Sequence, residues 1–333
     1  MSKKKKIALA VVAVVLVIAI VAAVVVKIDR NKTFSVEEKS NIAMGTVVTY
    51  KIYDDKTTNL IPALNTLTDN LEKTISWRIE GSPVYNLNEN SKCGNEVVAE
   101  VVKRCRSISA LSGGAFDLSI GSVSRLWNFE SENNQLPDKN AISNALKSVD
   151  YNKISVSGEV VTADSGMKLD LGSIGKGLAC DFIKYYLKEA GVKGAVVSVG
   201  GSICVFGSRN KAGDSWRIAI KHPREDDKFL GVINLKEGFV STSGDYEQFF
   251  EKDGKRYHHI LDARTGYPAE SGLQSVTVVC SSGIISDALS TACFILGIEE
   301  SKELLERYDA SAVFVDAGGK ITTLGEVDFE QAK

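Results

Sequence analysis

The sequence predicts an α+β fold with mixed and antiparallel sheets, preceded by one N-terminal transmembrane helix. Three observations lead there. Patterns of period 2 and of period 3.6 are interspersed through residues 41–330, so strands and helices share one domain. Ser157-Gly158 and Asp253-Gly254 each sit between strand-like runs, which calls for hairpins and antiparallel pairing. Ile7 to Val26 is an uncharged apolar run behind Lys3 to Lys6.

The elements follow in order. Val47 to Tyr53 alternates as a strand does. Leu60, Leu64, Leu67, Leu71 and Ile75 recur at helical spacing. Val97 to Leu111 repeats that spacing, and Gly113-Gly114 stops it. Ala141 to Leu146 predicts a short helix. Ile154 to Val156 and Glu159 to Thr162 form the hairpin around Ser157-Gly158. Lys168 to Leu171 reads as a strand and Leu178 to Ala190 as a helix. Ala195–Val199, Cys204–Phe206, Trp216–Ile220 and Gly231–Leu235 are strand candidates. Phe249-Phe250 and Tyr257 to Leu261 make the second hairpin. Ser275 to Cys280 is a strand, Ala288 to Leu296 and Ser301 to Tyr308 are helices, and Ala312 to Val315 is the last strand.

The leading run holds 20 residues. At about 1.5 Å per residue it spans about 30 Å, the depth of a bilayer core. The lysines precede it, so residues 1–6 stay in the cytoplasm as a basic segment and the rest is exported. The expectation is a signal-anchor helix at 7–26, a tether at 27–40 and one folded domain at 41–330. The protein is then single-pass in the cell membrane, with its domain on the extracytoplasmic side. A cleaved signal peptide competes, with Ala19 to Ala23 as a small-residue site, but the apolar run continues past it. The first cysteine is Cys93, which excludes a lipid-bearing cysteine at the end of the span.

Composition narrows the function. The 333 residues are 44% apolar and 25% charged, which excludes a disordered or low-complexity chain. The net charge is -2, and beyond residue 30 there are 34 basic against 41 acidic residues. A nucleic-acid partner is therefore not expected. The six cysteines form no CxxC pair. Cys180, Cys204, Cys280 and Cys293 sit in apolar runs, so they read as buried thiols.

Three segments have the composition of a site. Lys168-Leu-Asp-Leu-Gly-Ser-Ile-Gly-Lys-Gly177 reads as strand, glycine turn and helix. Such a layout offers backbone N–H groups and a positive helix end to a phosphate, and Lys176 adds a cation. It matches neither the P-loop nor the dinucleotide fingerprint, and a plain tight turn is the competing reading. Asp287 and Thr291 are four apart at the start of an apolar helix, on one face. They read either as a cap with a buried threonine or as hard oxygen ligands for Mg²⁺. His258-His259 lies on a predicted strand, so the two imidazoles point to opposite faces. One of them can face a site as an acid–base group while the other packs. Arg264 either pairs with Asp262 or binds an anion. Further glycine clusters at 113–114, 200–201 and 241–245 read as turns singly, and together suggest backbone closing on one ligand.

In order, Ala43-Met-Gly-Thr46, Gly113-Gly-Ala-Phe-Asp117, Leu169-Asp-Leu-Gly-Ser-Ile-Gly-Lys-Gly177, Val199-Gly-Gly201, Ser241-Thr-Ser-Gly-Asp245, His258-His-Ile-Leu-Asp-Ala-Arg-Thr-Gly266 and Ser286-Asp-Ala-Leu-Ser-Thr291 resemble the ApbE family. These are FAD:protein FMN transferases. The resemblance covers about residues 40–330 and implies a single ApbE-like, T-fold-related domain. It implies FAD as substrate, Mg²⁺ as bound metal, and transfer of FMN to a threonine or serine hydroxyl with release of AMP. Expected acceptors are exported or membrane flavoproteins of extracytoplasmic electron-transport systems.

By the same resemblance, Asp287, Thr291 and the carbonyl of Ser173 ligate Mg²⁺. Met44, Ala115, Phe116, Asp117, Asp170, Lys176 and Ile260 line the FAD site. One histidine of the His258/His259 pair takes the proton of the acceptor hydroxyl. Three places depart from the family pattern. Leu118-Ser119 replaces a usual Pro-Thr, Ser202 replaces the Asp or Asn after Gly-Gly, and Ser82-Pro83 leads to Leu87-Asn88. Which wall of the site Trp77 or Tyr85 touches is left open. Two other functions fit the same residues: a metal-dependent FAD pyrophosphatase and a non-catalytic flavin-binding protein.

Overall fold

The computed structural model describes residues 33–56, 59–129 and 135–332. The basic segment 1–6, the apolar run 7–26 and the first part of the tether lie outside the described residues. Among the described residues no helix is long and apolar enough to cross a membrane.

From the N-terminus, β1 (Val36–Ala43) and β2 (Thr46–Tyr53) form a hairpin. Helices α1 (Ile61–Ile75) and α2 (Pro83–Asn90), strand β3 (Lys92–Gly94), and helices α3 (Glu96–Leu111), α4 (Gly121–Trp127) and α5 (Lys139–Leu146) follow. Hairpin β4 (Ile154–Ser157) and β5 (Val160–Ala163) leads to the long helix α6 (Gly172–Glu189). Next come β6 (Gly194–Val199), β7 (Ser202–Gly207), β8 (Trp216–Lys221), β9 (Phe229–Leu235) and β10 (Gly238–Gly244). Two hairpins follow, β11 (Phe249–Lys252) with β12 (Lys255–His258), and β13 (Leu261–Asp262) with β14 (Tyr267–Pro268). The remainder is β15 (Leu273–Cys280), α7 (Gly283–Leu296), α8 (Ser301–Arg307), β16 (Ser311–Asp316), β17 (Ile321–Leu324) and β18 (Phe329–Gln331).

One eight-stranded sheet carries the fold, in the order β1-β2-β6-β7-β10-β15-β16-β17. Each neighbouring pair is antiparallel. Both faces are covered. Cys204, Phe206, Phe239, Ala312 and Phe314 turn to a core shared with the helices. Their strand neighbours Val205, Val240, Val313 and Val315 turn to a second core under the sheet β18-β9-β8. Burial on both faces explains why these strands read as apolar runs rather than clean alternation.

The antiparallel α+β reading holds. The Asp253-Gly254 hairpin has a two-residue turn, with Lys252 opposite Lys255 and both turn residues at positive φ. That is the geometry which type I′ turns require. Six expectations are corrected. Residues 36–40, read as tether, belong to β1, which pairs fully with β2. Lys168–Leu171 is no strand: Lys168 makes only an isolated parallel bridge with Ile120, Leu171 already leaves the extended region at ψ 13°, and a side chain, that of Asn88, pairs with Leu169. Its Nδ2 donates to the Leu169 carbonyl at 2.9 Å, and its Oδ1 accepts from the Leu169 N–H at 2.6 Å. The glycine turn at 172–177 is instead the first turns of α6, which starts at Gly172. Helix α7 starts at Gly283, so Asp287 is no cap. Asp181 fills that role, accepting from the N–H groups of Gly283 and Ile284 at 2.8 Å each. The last strand is β18, beyond Val315, and Ser241–Gly244 is strand rather than turn.

Glycine has a packing reason at the crossing of α6 and α7. A Cβ on Gly177 would meet the Gly283 carbonyl oxygen at 2.1 Å, and one on Gly283 would meet the Gly177 oxygen at 2.2 Å. Two helices bearing side chains there could not approach so closely. All six cysteines are buried free thiols, as the apolar runs suggested. Burial pushes Cys105 and Cys293 up to about 12, so they are inert.

Candidate active site

The close crossing brings the N-terminal turns of α6 and α7 together beside the β1–β2 turn. Between them and the segment 259–261 lies a cavity of about 360 Å³. Met44, Ala115, Phe116, Asp117, Asp170, Ser173, Lys176, His259, Ile260, Asp287 and Thr291 all line it. Residues up to 247 positions apart in the chain therefore converge on one space.

Met44 sits at φ 55° and Gly45 at φ 67°, making the β1–β2 turn type I′ as well. A left-handed methionine is strained. Its N–H is held by Glu72 Oε2 at 2.9 Å. Helix α6 opens into the cavity with Ser173 in its first turn, capped by Asp170 Oδ1 accepting from the Gly172 N–H at 2.9 Å. Lys176 follows one turn later. A helix N-terminus plus a lysine suits an anionic group.

Asp287 is buried at the junction of the two helices. Its Oδ2 accepts from the Gly177 N–H at 2.8 Å and its Oδ1 from Ser202 Oγ at 3.1 Å. Burial pushes its carboxyl up, while Lys176 and these donors pull it down. Thr291 lies one turn on, with Oγ1 3.4 Å from Ser243 Oγ. A carboxylate, a hydroxyl and the Ser173 carbonyl are an all-oxygen set, which fits a hard divalent cation that keeps waters. Among the described residues no cluster of three or more His, Cys, Asp or Glu stands ready for a metal. That is consistent with a set containing one carboxylate.

The structure separates the two histidines. His258 ends β12 and is buried, its Nε2 3.1 Å from the Ala269 carbonyl and its ring edge-on to Phe294. His259 turns into the cavity. Its Nδ1 lies 3.3 Å from the Gln248 carbonyl, an acceptor, so Nδ1 carries the proton and Nε2 keeps a free lone pair. Part of His259 stays open to the cavity, yet protein encloses the ring. Burial first, then Lys176, then His258, push it down to about 4. It is therefore neutral at pH 7, as a proton acceptor must be.

Other expected residues have their polar groups engaged. Both carboxylate oxygens of Asp117 are used: Oδ1 accepts from the Ser119 N–H and Oγ, and Oδ2 from the Tyr151 N–H. The Ala115 carbonyl accepts from the Ala263 N–H, and that of Ile260 from the Ala269 N–H. Arg264 pairs with Asp262, Nη2 to Oδ2 at 2.7 Å. Sequence reading missed Glu247, Gln248, Asn128, Phe129 and Arg78, which also line the cavity. Trp77 and Tyr85 are not among the lining residues; instead the Trp77 ring supports the guanidinium of Arg78 at 4.2 Å. The one sequence signal for Glu247 and Gln248 was their place directly after Ser241–Asp245.

Comparison with known proteins gives the family. The model of the ApbE family matches residues 44–315. The chain belongs to the ApbE family. An FAD:protein FMN transferase of Treponema pallidum is 32% identical over 307 residues, covering 84% of each chain. One from Klebsiella pneumoniae is 34% identical over 223 residues, 66% of this chain and 68% of its own. The crystal structure of the apo Pseudomonas stutzeri flavinyl transferase ApbE has a TM-score of 0.77 and 31% identity, covering 91% of this chain and 96% of its own. An ApbE structure from Thermotoga maritima reaches 0.80, again at 31% identity, covering 87% and 97%. The α+β architecture of this ApbE member is thus that of solved relatives.

Proposed function

We propose that this ApbE family member transfers FMN from FAD to a threonine or serine hydroxyl of an acceptor protein and releases AMP, with Mg²⁺ bound by Asp287, Thr291 and the Ser173 carbonyl. The supporting observation is the convergence of this oxygen set, Lys176, the α6 N-terminus and a neutral His259 on one cavity.

The chemistry follows from the charges. A pyrophosphate repels nucleophiles until its oxygens are neutralised. Lys176 and the first turn of α6 bind and orient it. A bound Mg²⁺ supplies Lewis-acid neutralisation of the phosphoryl oxygens. His259 Nε2 takes the acceptor hydroxyl proton as that oxygen bonds to the phosphorus of the FMN phosphate. The bond from that phosphorus to the bridging oxygen breaks, and AMP leaves with the electron pair. Gln248 holds the ring in the tautomer that makes this possible.

The acceptors proposed are exported or membrane flavoproteins of electron-transport systems, reached from an extracytoplasmic domain anchored by residues 7–26. AMP release from FAD, followed by chromatography, tests the site. It should depend on Mg²⁺ and be lost in Asp287→Ala. Unchanged release in that variant would remove the metal assignment.

A further inference from the structure

The segment Ser241-Thr-Ser243 stood out in the sequence, yet the reaction above leaves it unused. In the structure it lies on β10 against α7. Ser241 Oγ is 2.8 Å from Ser286 Oγ, and Ser243 Oγ is 2.8 Å from Ser290 Oγ. Two residues of strand advance about 6.6 Å and four residues of helix about 6.0 Å, so the two serine pairs are in step. Each helix serine directly precedes a proposed metal ligand, Asp287 or Thr291. The network continues to those ligands. Ser241 Oγ donates to Ser202 Oγ at 3.2 Å, Ser202 donates to Asp287 Oδ1 at 3.1 Å, and Ser243 Oγ lies 3.4 Å from Thr291 Oγ1.

Helix α7 needs such a device. It is buried almost all round, from Gly283 through Ile295, with Thr291 the exception. Burial of apolar surface hardly depends on how such a helix is rotated about its axis. A rotation of about 20° would move a ligand oxygen some 6 Å from the axis by about 2 Å. That is as long as a Mg²⁺–oxygen bond, whose geometry is strict. Ser286 and Ser290 donate to the Gly283 and Asp287 carbonyls of their own helix, so their oxygens are fixed acceptors for the strand hydroxyls, and a misrotated helix would take that acceptor from Ser243 at about 1–3 kcal/mol.

We propose that Ser241 and Ser243 are positioning residues: with Ser202, they set the rotation of α7 that brings Asp287 and Thr291 to bear on one cation. Ser202, the departure from the family's Asp or Asn, is here the hydroxyl that completes the chain to Asp287. This rests on the metal assignment made above.

The test measures Mn²⁺ binding to the full-length protein without FAD, by electron paramagnetic resonance, so activity is not the readout. Partners around a metal ligand typically matter by about 10–100-fold in affinity. The double variant Ser241→Ala/Ser243→Ala should weaken Mn²⁺ by that factor, and Ser243→Thr, which keeps the hydroxyl, should retain most of the affinity. Turnover of the double variant should recover at saturating metal, a change in metal requirement more than in kcat. Ser301→Ala removes another buried serine, whose Oγ donates to the Gly297 carbonyl at 2.6 Å. It should cost stability without changing Mn²⁺ affinity, which separates positioning from loss of structure. If the double variant binds Mn²⁺ within twofold of the unaltered protein, or Ser301→Ala weakens binding equally, the positioning role is overturned. If the unaltered protein binds Mn²⁺ no better than Asp287→Ala, the metal assignment falls and takes this proposal with it.

Discussion

Replacing Lys176 by methionine should raise the midpoint at which His259 takes up a proton. The imidazole is held at about 4, below its ordinary 6.5, by burial and then by Lys176. At pH 5 a midpoint of 4 leaves roughly nine-tenths of the rings neutral, whereas 6.5 would leave about 3%. The side chain of methionine keeps most of the lysine stem and removes the charge. Histidine NMR of the full-length protein reads this directly, with His259→Gln assigning the signal among the three histidines. The unaltered protein should show a midpoint near 4 and Lys176→Met a higher one. His259→Gln should also slow FMN transfer at pH 7 by about 10²–10⁴-fold, the usual contribution of a general base. A midpoint near 6.5 in the unaltered protein, or none of the expected rise in Lys176→Met, would refute the electrostatic account. Folding lowers this group's midpoint, so its contribution to stability is present above pH 6.5. It is lost as pH falls toward 4, because the unfolded chain then binds the extra proton.

Gly177→Ala puts a Cβ 2.1 Å from the Gly283 carbonyl oxygen, so α6 and α7 must part by about 1 Å. Overpacking of this kind costs about 1–3 kcal/mol or more. Thermal unfolding should therefore move down by several degrees, and an unchanged Tm would contradict the packing claim. Asn88→Leu removes two hydrogen bonds to Leu169 and leaves its buried N–H and carbonyl unpaired, a loss of about 2–4 kcal/mol. Denaturant melts should show it; a loss below 1 kcal/mol would mean that other donors reach Leu169. Fractionation of cells should find the full-length protein in membranes, and a shortened soluble form would support the cleaved signal instead.

Most of the elements were legible because their residues carry one strong period. Leu60 to Ile75 and the Asp253-Gly254 hairpin folded as their patterns dictate. The misses have local causes. Strand β1 is charged and mostly exposed, so no apolar alternation marked it. Ser241–Gly244 is strand because its backbone pairs with β15, and at Ser241 with β7, while its serines face the serines of a helix; no local rule foresees those partners. Gly172 to Gly177 looked like a turn because glycine is a poor helix former, but contact with α7 overrides propensity. At the site, the resemblance brought together residues that the cavity also brings together. It left His258 and His259 equivalent, and only tertiary packing distinguishes them. It also could not reveal that the carboxylate of Asp117 is spent on Ser119 and Tyr151.

The central claim is that this cavity joins FMN to a protein hydroxyl. Intact-mass measurement of a threonine-bearing acceptor peptide, incubated with the full-length protein, FAD and Mg²⁺, tests it most directly. The account predicts an FMN-sized adduct on the threonine, formed in step with AMP and lost when the threonine is replaced by valine. AMP accumulating while every tested acceptor stays unmodified would contradict it, and would make the protein a hydrolase of FAD.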